Sequence, residues 1–311
     1  MFRNKEYILA VYQEGGFTKA AERLFVSQPS LSASIKRIED KLGAPIFDRS
    51  TSPISLTEIG KEYVKYALSI QEKEKDFSRY ISDHTNLMAG KIRIGGSSFF
   101  SSFVLPRLIS EFNESHPQIQ FEIFEDSTKN LMNKLVSGNL DIIIDNAINE
   151  NENIISEVYA PETLLLAVPK ALKSNESVLE FAMTAQDIKE NKHLDENMSV
   201  KLSAFKDERF ILLNPENDTG KRAEKLFKKY GISPSVIFHL DQQVTAFNMA
   251  CLGLGITFVS DTLIKYDDSE RDMYYYRLFD IGTNRNIYFY RKKNHYQSVA
   301  SRKFIEHNTH K

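Results

Sequence analysis

Residues 17–49 read FTKAAERLFVSQPSLSASIKRIEDKLGAPIFDR. Thr18 offers an N-cap to a short helix, KAAERLF, that turns Ala21 and Leu24 inward. A tight link, Val26-Ser27, follows. Ser27 caps a second helix, and Pro29 is tolerated in its first turn because the amide hydrogen that proline lacks has no helical partner there. Gly43 ends that helix as a left-handed cap. Leu31, Ile35, Ile38 and Leu42 recur at spacings of 4, 3 and 4 and form its buried stripe. At about 100 degrees per residue, Gln28, Pro29, Ser32, Ala33 and Lys36 project away from that stripe. A short helix, a tight link and a second helix with a small, polar, singly basic outer face make a helix-turn-helix, whose second helix fits the roughly 12 Å major groove of DNA. The same pattern also describes a plain three-helix bundle with a solvated face.

Upstream, Asn4 to Glu14 reads as a helix with Ile8, Val11 and Tyr12 at helical spacing, stopped by Gly15-Gly16. Downstream, residues 44–57, APIFDRSTSPISLT, hold two β-prone apolar stretches around a polar, proline-bearing turn, which suits a two-stranded wing. Arg49, Ser50 and Thr51 fall near its tip, where a guanidinium and hydroxyls meet phosphate oxygens and set register rather than read sequence. Thr57 caps a long helix running to about Met88, roughly 48 Å at 1.5 Å per residue. Tyr63, Tyr66, Ile70, Lys73, Phe77, Tyr80, His84 and Leu87 alternate at 3 and 4, a heptad seam for a partner helix. An amphipathic helix packed on its own domain is the other reading.

The ordered set FTKAAERLFVSQPSLS (17–32), IKRIE (35–39), LGAPIFDR (42–49) and LTEIG (56–60) closely resembles the N-terminal signature of LysR-type transcriptional regulators. The resemblance implies a multidomain chain: an all-α winged helix-turn-helix (1–58), a dimerising linker helix (59–89) and an α/β, Rossmann-like effector domain of two lobes similar to a periplasmic binding protein (90–311). Lobe I is expected at about 90–163 and 268–311, and lobe II at about 164–267. It further implies that Gln28, Pro29 and Ser32 approach base edges while Thr18, Lys36, Arg37, Arg49 and Ser50 lie near phosphates. Many members carry arginine or another long polar residue where this chain has Ala33 and Ser34. A bidentate guanine contact is therefore absent there, and readout leans on Gln28, DNA shape and methyl contacts. Ser34 stays in the candidate set.

The second half carries its own signals. Lys91 to Gly95 alternates as a strand and runs into Gly96-Ser97-Ser98, after which a helix extends through Phe112. Backbone N–H groups and hydroxyls at such a strand-to-helix turn suit an anion. Gln120 to Glu125 and the apolar run Leu140 to Asp145 complete a βαβαβ order. Thr163 to Val168 crosses into a second lobe with strands at Phe210 to Leu213, Ser235 to Leu240 and Ile256 to Val259. Tyr274 to Phe279 and Ile287 to Tyr290 form the return, and a helix lies near Gln297 to His307. The polar stretch Lys170 to Met198 fits a helix from Val178 to Ile188. Two lobes joined by crossing strands make a hinged cleft. Ligands in such sheets bind at strand C-termini, which points to Ser97, Ser98, Ser127, Thr128 and Asn146 in lobe I and to Asn214, Thr219 and Thr245 in lobe II.

Composition bounds the rest. The chain has 311 residues, suits two or three domains, and is 41% hydrophobic and 26% charged, which argues against disordered or fibrous classes. Its net charge is −2, yet residues 1–61 hold nine Lys/Arg against seven Asp/Glu. One cysteine, Cys251, excludes an intrachain disulfide and fits a reducing compartment; the cytoplasm is expected, with no export signal and no membrane span. Gly253-x-Gly255 follows a helix rather than a strand, no Walker loop or His-Glu-x-x-His occurs, and Cys251, His307 and His310 form no constellation, so no enzyme, metal site or cofactor is expected. The expected partners are double-stranded operator DNA, a small-molecule effector and further copies of the chain, as a homodimer assembling to a homotetramer, with RNA polymerase as a further contact. A solute-binding protein, or a DNA-binding protein whose sensor takes no ligand, are the alternatives.

Overall fold

A computed structural model describes residues 2–51, 53–85, 90–293 and 295–309, without the side chains of 79 and 82–85. Ser52, Leu87, Met88, His310 and the His84 side chain, all invoked above, lie outside the described residues. The chain divides into two compact units, Met1–Ile81 and Ser82–Lys311.

The first unit begins with α1 (Lys5–Glu14), α2 (Phe17–Arg23) and α3 (Gln28–Leu42). A two-stranded wing of β1 (Phe47–Asp48) and β2 (Ser55–Leu56) and the long α4 (Glu58–Thr85) follow. The Ser27 hydroxyl caps α3 by accepting from the Ser30 N–H, and Gly43 adopts the left-handed φ of +77°. Leu31, Ile35 and Ile38 are buried with Ile8, Val11, Ala20, Phe47 and Val64 in one core. Three local expectations change. The cap of α2 is Gly16, and Thr18 lies inside the helix, because burying Phe17 starts the helix two residues earlier. Tyr12 is exposed, its place on the inner face taken by Leu9. Tyr63, read as part of a partner seam, is buried in this unit's own core, stacked on Phe2 with ring centroids 4.8 Å apart.

The root of α4 is tied to the wing. The Thr57 hydroxyl donates to the Pro45 carbonyl at 2.7 Å and accepts from the Gly60 N–H at 2.9 Å. A methyl group on Gly60 would sit 2.0 Å from the Ile46 carbonyl oxygen, so only glycine fits there. Farther along, Lys5 pairs with Glu74 at 2.8 Å. Tyr66, Phe77, Tyr80 and Ile81 of α4 are exposed.

The second unit is a mixed α/β structure. Lobe I contains β3 (Lys91–Gly96), α5 (Leu105–Ser115), β4 (Gln120–Glu125), α6 (Thr128–Val136) and β5 (Ile142–Asp145), with β3 parallel to both β4 and β5. A π-helical turn, Phe100–Val104, leads into α5. The 16-residue β6 (Ile154–Pro169) then crosses between lobes. Lobe II holds α7 (Ala185–Lys189), β7 (Ser199–Val200), β8 (Arg209–Leu213), α8 (Asp218–Tyr230), β9 (Ser235–Leu240) and α9 (Gln243–Cys251). It continues through β10 (Ile256–Ser260), α10 (Asp261–Tyr266) and β11 (Met273–Leu278), with β8 parallel to β9 and β10. β12 (Asn284–Lys292) returns antiparallel to β5 and to the first half of β6, and α11 (Val299–Thr309) follows.

Two expectations fail here for the same reason, the pairing of β11. Tyr274–Arg277 pairs with Leu165–Val168, so the second lobe continues to Leu278 instead of ending at 267. Met183 exchanges backbone hydrogen bonds with Tyr275, which prevents a helix over 178–188; a 3-10 turn at Leu179–Phe181 and the Thr184-capped α7 form in its place. The 170–198 segment thereby gains a structural role. Its buried His193 meets Asp261 at 2.9 Å, while Asp261 accepts the Thr163 N–H at the crossing. Among the described residues no helix is long and apolar enough to cross a membrane.

Gly60→Ala is expected to cost about 1–3 kcal/mol by overpacking against Ile46. Thermal melting of the full chain should lose several degrees in the transition of residues 1–81; an unshifted curve would mean that the wing gives way at no cost.

Candidate functional site

The first candidate surface is the outer face of α3. Gln28, Pro29, Lys36 and Arg37 are exposed and Ser32 and Ser34 half-buried, opposite a stripe whose Leu31 and Ile35 are wholly buried. Lys36 and Arg37 make no ion pair among the described residues, so their charge is available to an external anion. Thr18 is exposed on α2. Arg49 is held in place: its guanidinium lies 3.1 Å from Glu39 and 5.1 Å from the centroid of the Phe17 ring, and Glu39 also accepts the Ile46 and Phe47 N–H groups. The Ser50 hydroxyl is turned inward, donating to Asp48 at 2.6 Å, and together with the Ser50 N–H it holds the Asp48 carboxyl below its ordinary range. Phe25, read as the end of the helix KAAERLF, is instead 96% exposed in the link between α2 and α3 with a left-handed φ of 54°.

The second candidate is the cleft between the lobes. The C-terminal ends of β3 and β5, the start of α6, the first turn of α8 and the start of α9 converge on a cavity of about 20 Å³, room for roughly one water molecule. Four of the expected residues line it: Ser97, Thr128, Asn146 and Thr219. The other four do not. Ser127 caps α6, Asn214 donates to Asp241 at 2.5 Å, Thr245 is exposed on α9, and Ser98 is half-buried beside the turn. The residues missed are Asp145, Asn217, Asp218 and Gln243, all lining the cavity. Asp145 closes an apolar strand run and Gln243 opens a helix, so nothing local marks either.

Beneath the cleft lies a buried ionic knot. Arg285 of β12 donates to Glu162 of β6, to Asp218 at 2.9 Å and to the Thr219 hydroxyl at 2.9 Å. Glu162 also accepts from the Ser260 hydroxyl and from the Asn146 amide at 3.0 Å. Burial opposes the charge on Arg285, but Glu162 and Asp218 outweigh it and raise its pKa. Two buried donors here, Nη2 of Arg285 and Nε2 of Gln243, have no partner among the described residues. Removing one carboxylate from such a knot typically costs about 3–5 kcal/mol, because the remaining charges stay buried. Among the described residues no group of His, Cys, Asp and Glu could hold a metal ion, and the half-buried Cys251 thiol is pushed up by burial.

Burial also pushes the Asp145 carboxyl up, against hydrogen bonds from the Ala147 N–H and the Thr128 hydroxyl. An acid whose pKa is higher folded than unfolded favours the folded state most at low pH, and that contribution is lost as pH rises through the folded value. The melting temperature of Asp145→Asn relative to the parent is therefore expected to become more positive from ~pH 4 to ~pH 7. A difference that stays flat with pH would contradict a buried, ionisable Asp145.

Comparison with known proteins agrees with this geometry. The family description "Bacterial regulatory helix-turn-helix protein, lysR family" matches residues 2–61, and "LysR substrate binding domain" matches residues 85–310. A probable RuBisCO transcriptional regulator of Trieres chinensis is 28% identical over 297 residues, covering 94% of this chain and 90% of that protein. A full-length OxyR variant from Pseudomonas aeruginosa has the same fold, with TM-score 0.67 at 21% identity over 98% of this chain and 93% of its own. Full-length CbnR complexed with its target DNA gives TM-score 0.62 at 21% identity, covering 99% and 98% of the two chains.

Proposed function

The chain belongs to the LysR family of DNA-binding transcriptional regulators, and from that premise we propose which residues carry its activity. The outer face of α3 enters the major groove. Gln28, Pro29, Ser32 and Ser34 approach base edges, and Thr18, Lys36, Arg37, Arg49 and Ser50 approach the phosphates. The single observation that carries this assignment is the pairing of an unengaged, exposed Gln28, Lys36 and Arg37 face with a fully buried stripe on the same helix. The Ser50 hydroxyl and N–H both already donate to Asp48, so Ser50 contributes through its position on the wing.

Dimerisation through α4 supplies two such faces. The exposed Tyr66, Phe77, Tyr80 and Ile81 support that role, with Tyr63 reassigned to the domain's own core. Two-fold related recognition helices call for a pseudo-palindromic operator with half-sites about 34–36 Å apart, one helical turn, or a multiple of it. The second unit takes a small-molecule effector in its cleft. An effector that binds one lobe arrangement better shifts the population of arrangements, and through them the DNA geometry offered to RNA polymerase. Assembly of dimers to a tetramer belongs to the same proposal.

Arg49→Ala is expected to weaken binding to cognate and scrambled operators alike and to reduce the steepness of the salt dependence by about one counterion. Gln28→Ala should instead narrow the gap between cognate and scrambled operators by about 1–3 kcal/mol, with little change on scrambled DNA. Fluorescence-anisotropy titrations over a salt series measure both; equal losses on both operators for both variants would reject the assignment.

A further inference from the structure

The cleft's electrostatics narrow the chemistry of what it accepts, an inference that rests on the proposed effector role of that site. Among the described residues lining it, the charged side chains are Asp145 and Asp218, with no lysine, arginine or histidine. The guanidiniums of the network are engaged by its carboxylates: the buried Arg285 is shared between Glu162 and Asp218, with only its Nη2 unpartnered among the described residues, and Arg222 donates to Asp218 at 2.6 Å. Arg285 and Arg222 together balance Glu162 and Asp218, so the knot has no surplus positive charge to offer an anion, and the buried Asp145 carboxyl lies at its edge. The first turn of α8, whose helix dipole would attract an anion, carries the Asp218 carboxylate in that position.

What the lining offers is directional hydrogen bonding. Gln243 lines the cleft, and its buried Nε2 has no acceptor among the described residues. Thr219 accepts from Arg285 and so keeps its own hydroxyl proton free to donate. Asp145 and Asp218 accept. A ligand hydroxyl fits both demands, since it presents an acceptor to Gln243 and a donor to a carboxylate. An ammonium fits the carboxylates as well, whereas a carboxylate or phosphate would face them in a low-dielectric site.

We propose that the cleft selects a small neutral or cationic molecule bearing hydroxyl or amino groups, and discriminates against carboxylate and phosphate effectors. Because the cavity holds only about 20 Å³ in this structure, the lobes part to admit it.

The test uses the full chain and a metabolite extract divided by ion exchange into cation-retained, unretained and anion-retained fractions. Each fraction is added in a thermal-shift assay, with Gln243→Leu as the control for binding in the cleft. Stabilisation by the cation-retained or unretained fraction, lost in Gln243→Leu, is the expected result. In matched probes, serinol and glycerol should bind at least tenfold more tightly than glycerate, and Asp145→Asn should shrink that preference. Stabilisation confined to the anion-retained fraction, and lost in Gln243→Leu, overturns the inference while leaving the effector site standing. No response to any fraction, with operator binding intact, overturns the inference together with the effector reading on which it rests.

Discussion

Arg285 is buried between Glu162 and Asp218, and the two-lobed half of the molecule is organised about that contact. Its members come from three places: the return strand β12, the crossing strand β6 and the first turn of α8. Ser260 at the end of β10 and Asn146 after β5 complete the coordination of Glu162. A buried guanidinium is tolerable only when such partners are fixed around it, so the knot constrains how β6, β12 and α8 meet. The cleft above it inherits its polarity from this arrangement. Thr219 and Asp218 serve both the knot and the cavity wall, which ties occupancy of one to the geometry of the other.

The DNA-binding half rests on a different constraint, the sealing of one stripe of α3. With Leu31, Ile35 and Ile38 buried against α1, α2 and the wing, the opposite face has no freedom to turn inward. The wing's own geometry follows from Glu39, which caps two backbone N–H groups and holds Arg49 beside Phe17. Glu39 therefore positions Arg49, the side chain proposed to meet a phosphate. Gly60 plays the analogous part at the root of α4, where the helix backbone passes too close to Ile46 for any side chain.

Much of this was readable from the sequence because local rules carried it. The Ser27 cap, the Gly43 stop and the spacing of Leu31, Ile35 and Ile38 fix the fifteen-residue α3 from within its own stretch of chain. Alternating strand and helix patterns placed nearly every element of the second unit. What was hidden depends on contacts distant in the chain. Glu162 and Arg285 stand 123 residues apart, and neither lies in a pattern that marks a buried charge. The apolar run ending at Asp145 reads as a covered strand, and nothing local says that its last residue turns into a cleft. The heptad spacing through Tyr63 cannot tell a partner's groove from the domain's own core, and the core took it. Likewise, the helical pattern over 178–188 loses to a backbone pairing with Tyr275, ninety-two residues from Met183.

The central claim is that the Glu162–Arg285–Asp218 contact holds α8 and the crossing strands in one arrangement on which the cleft depends. Hydrogen exchange of the full chain, compared with Arg285→Met, tests it most directly. The account predicts loss of protection concentrated in the first turn of α8 and in residues 145–147, with β3 and β4 unchanged. Protection that is unaltered at α8, or lost evenly across the whole second unit, would contradict it.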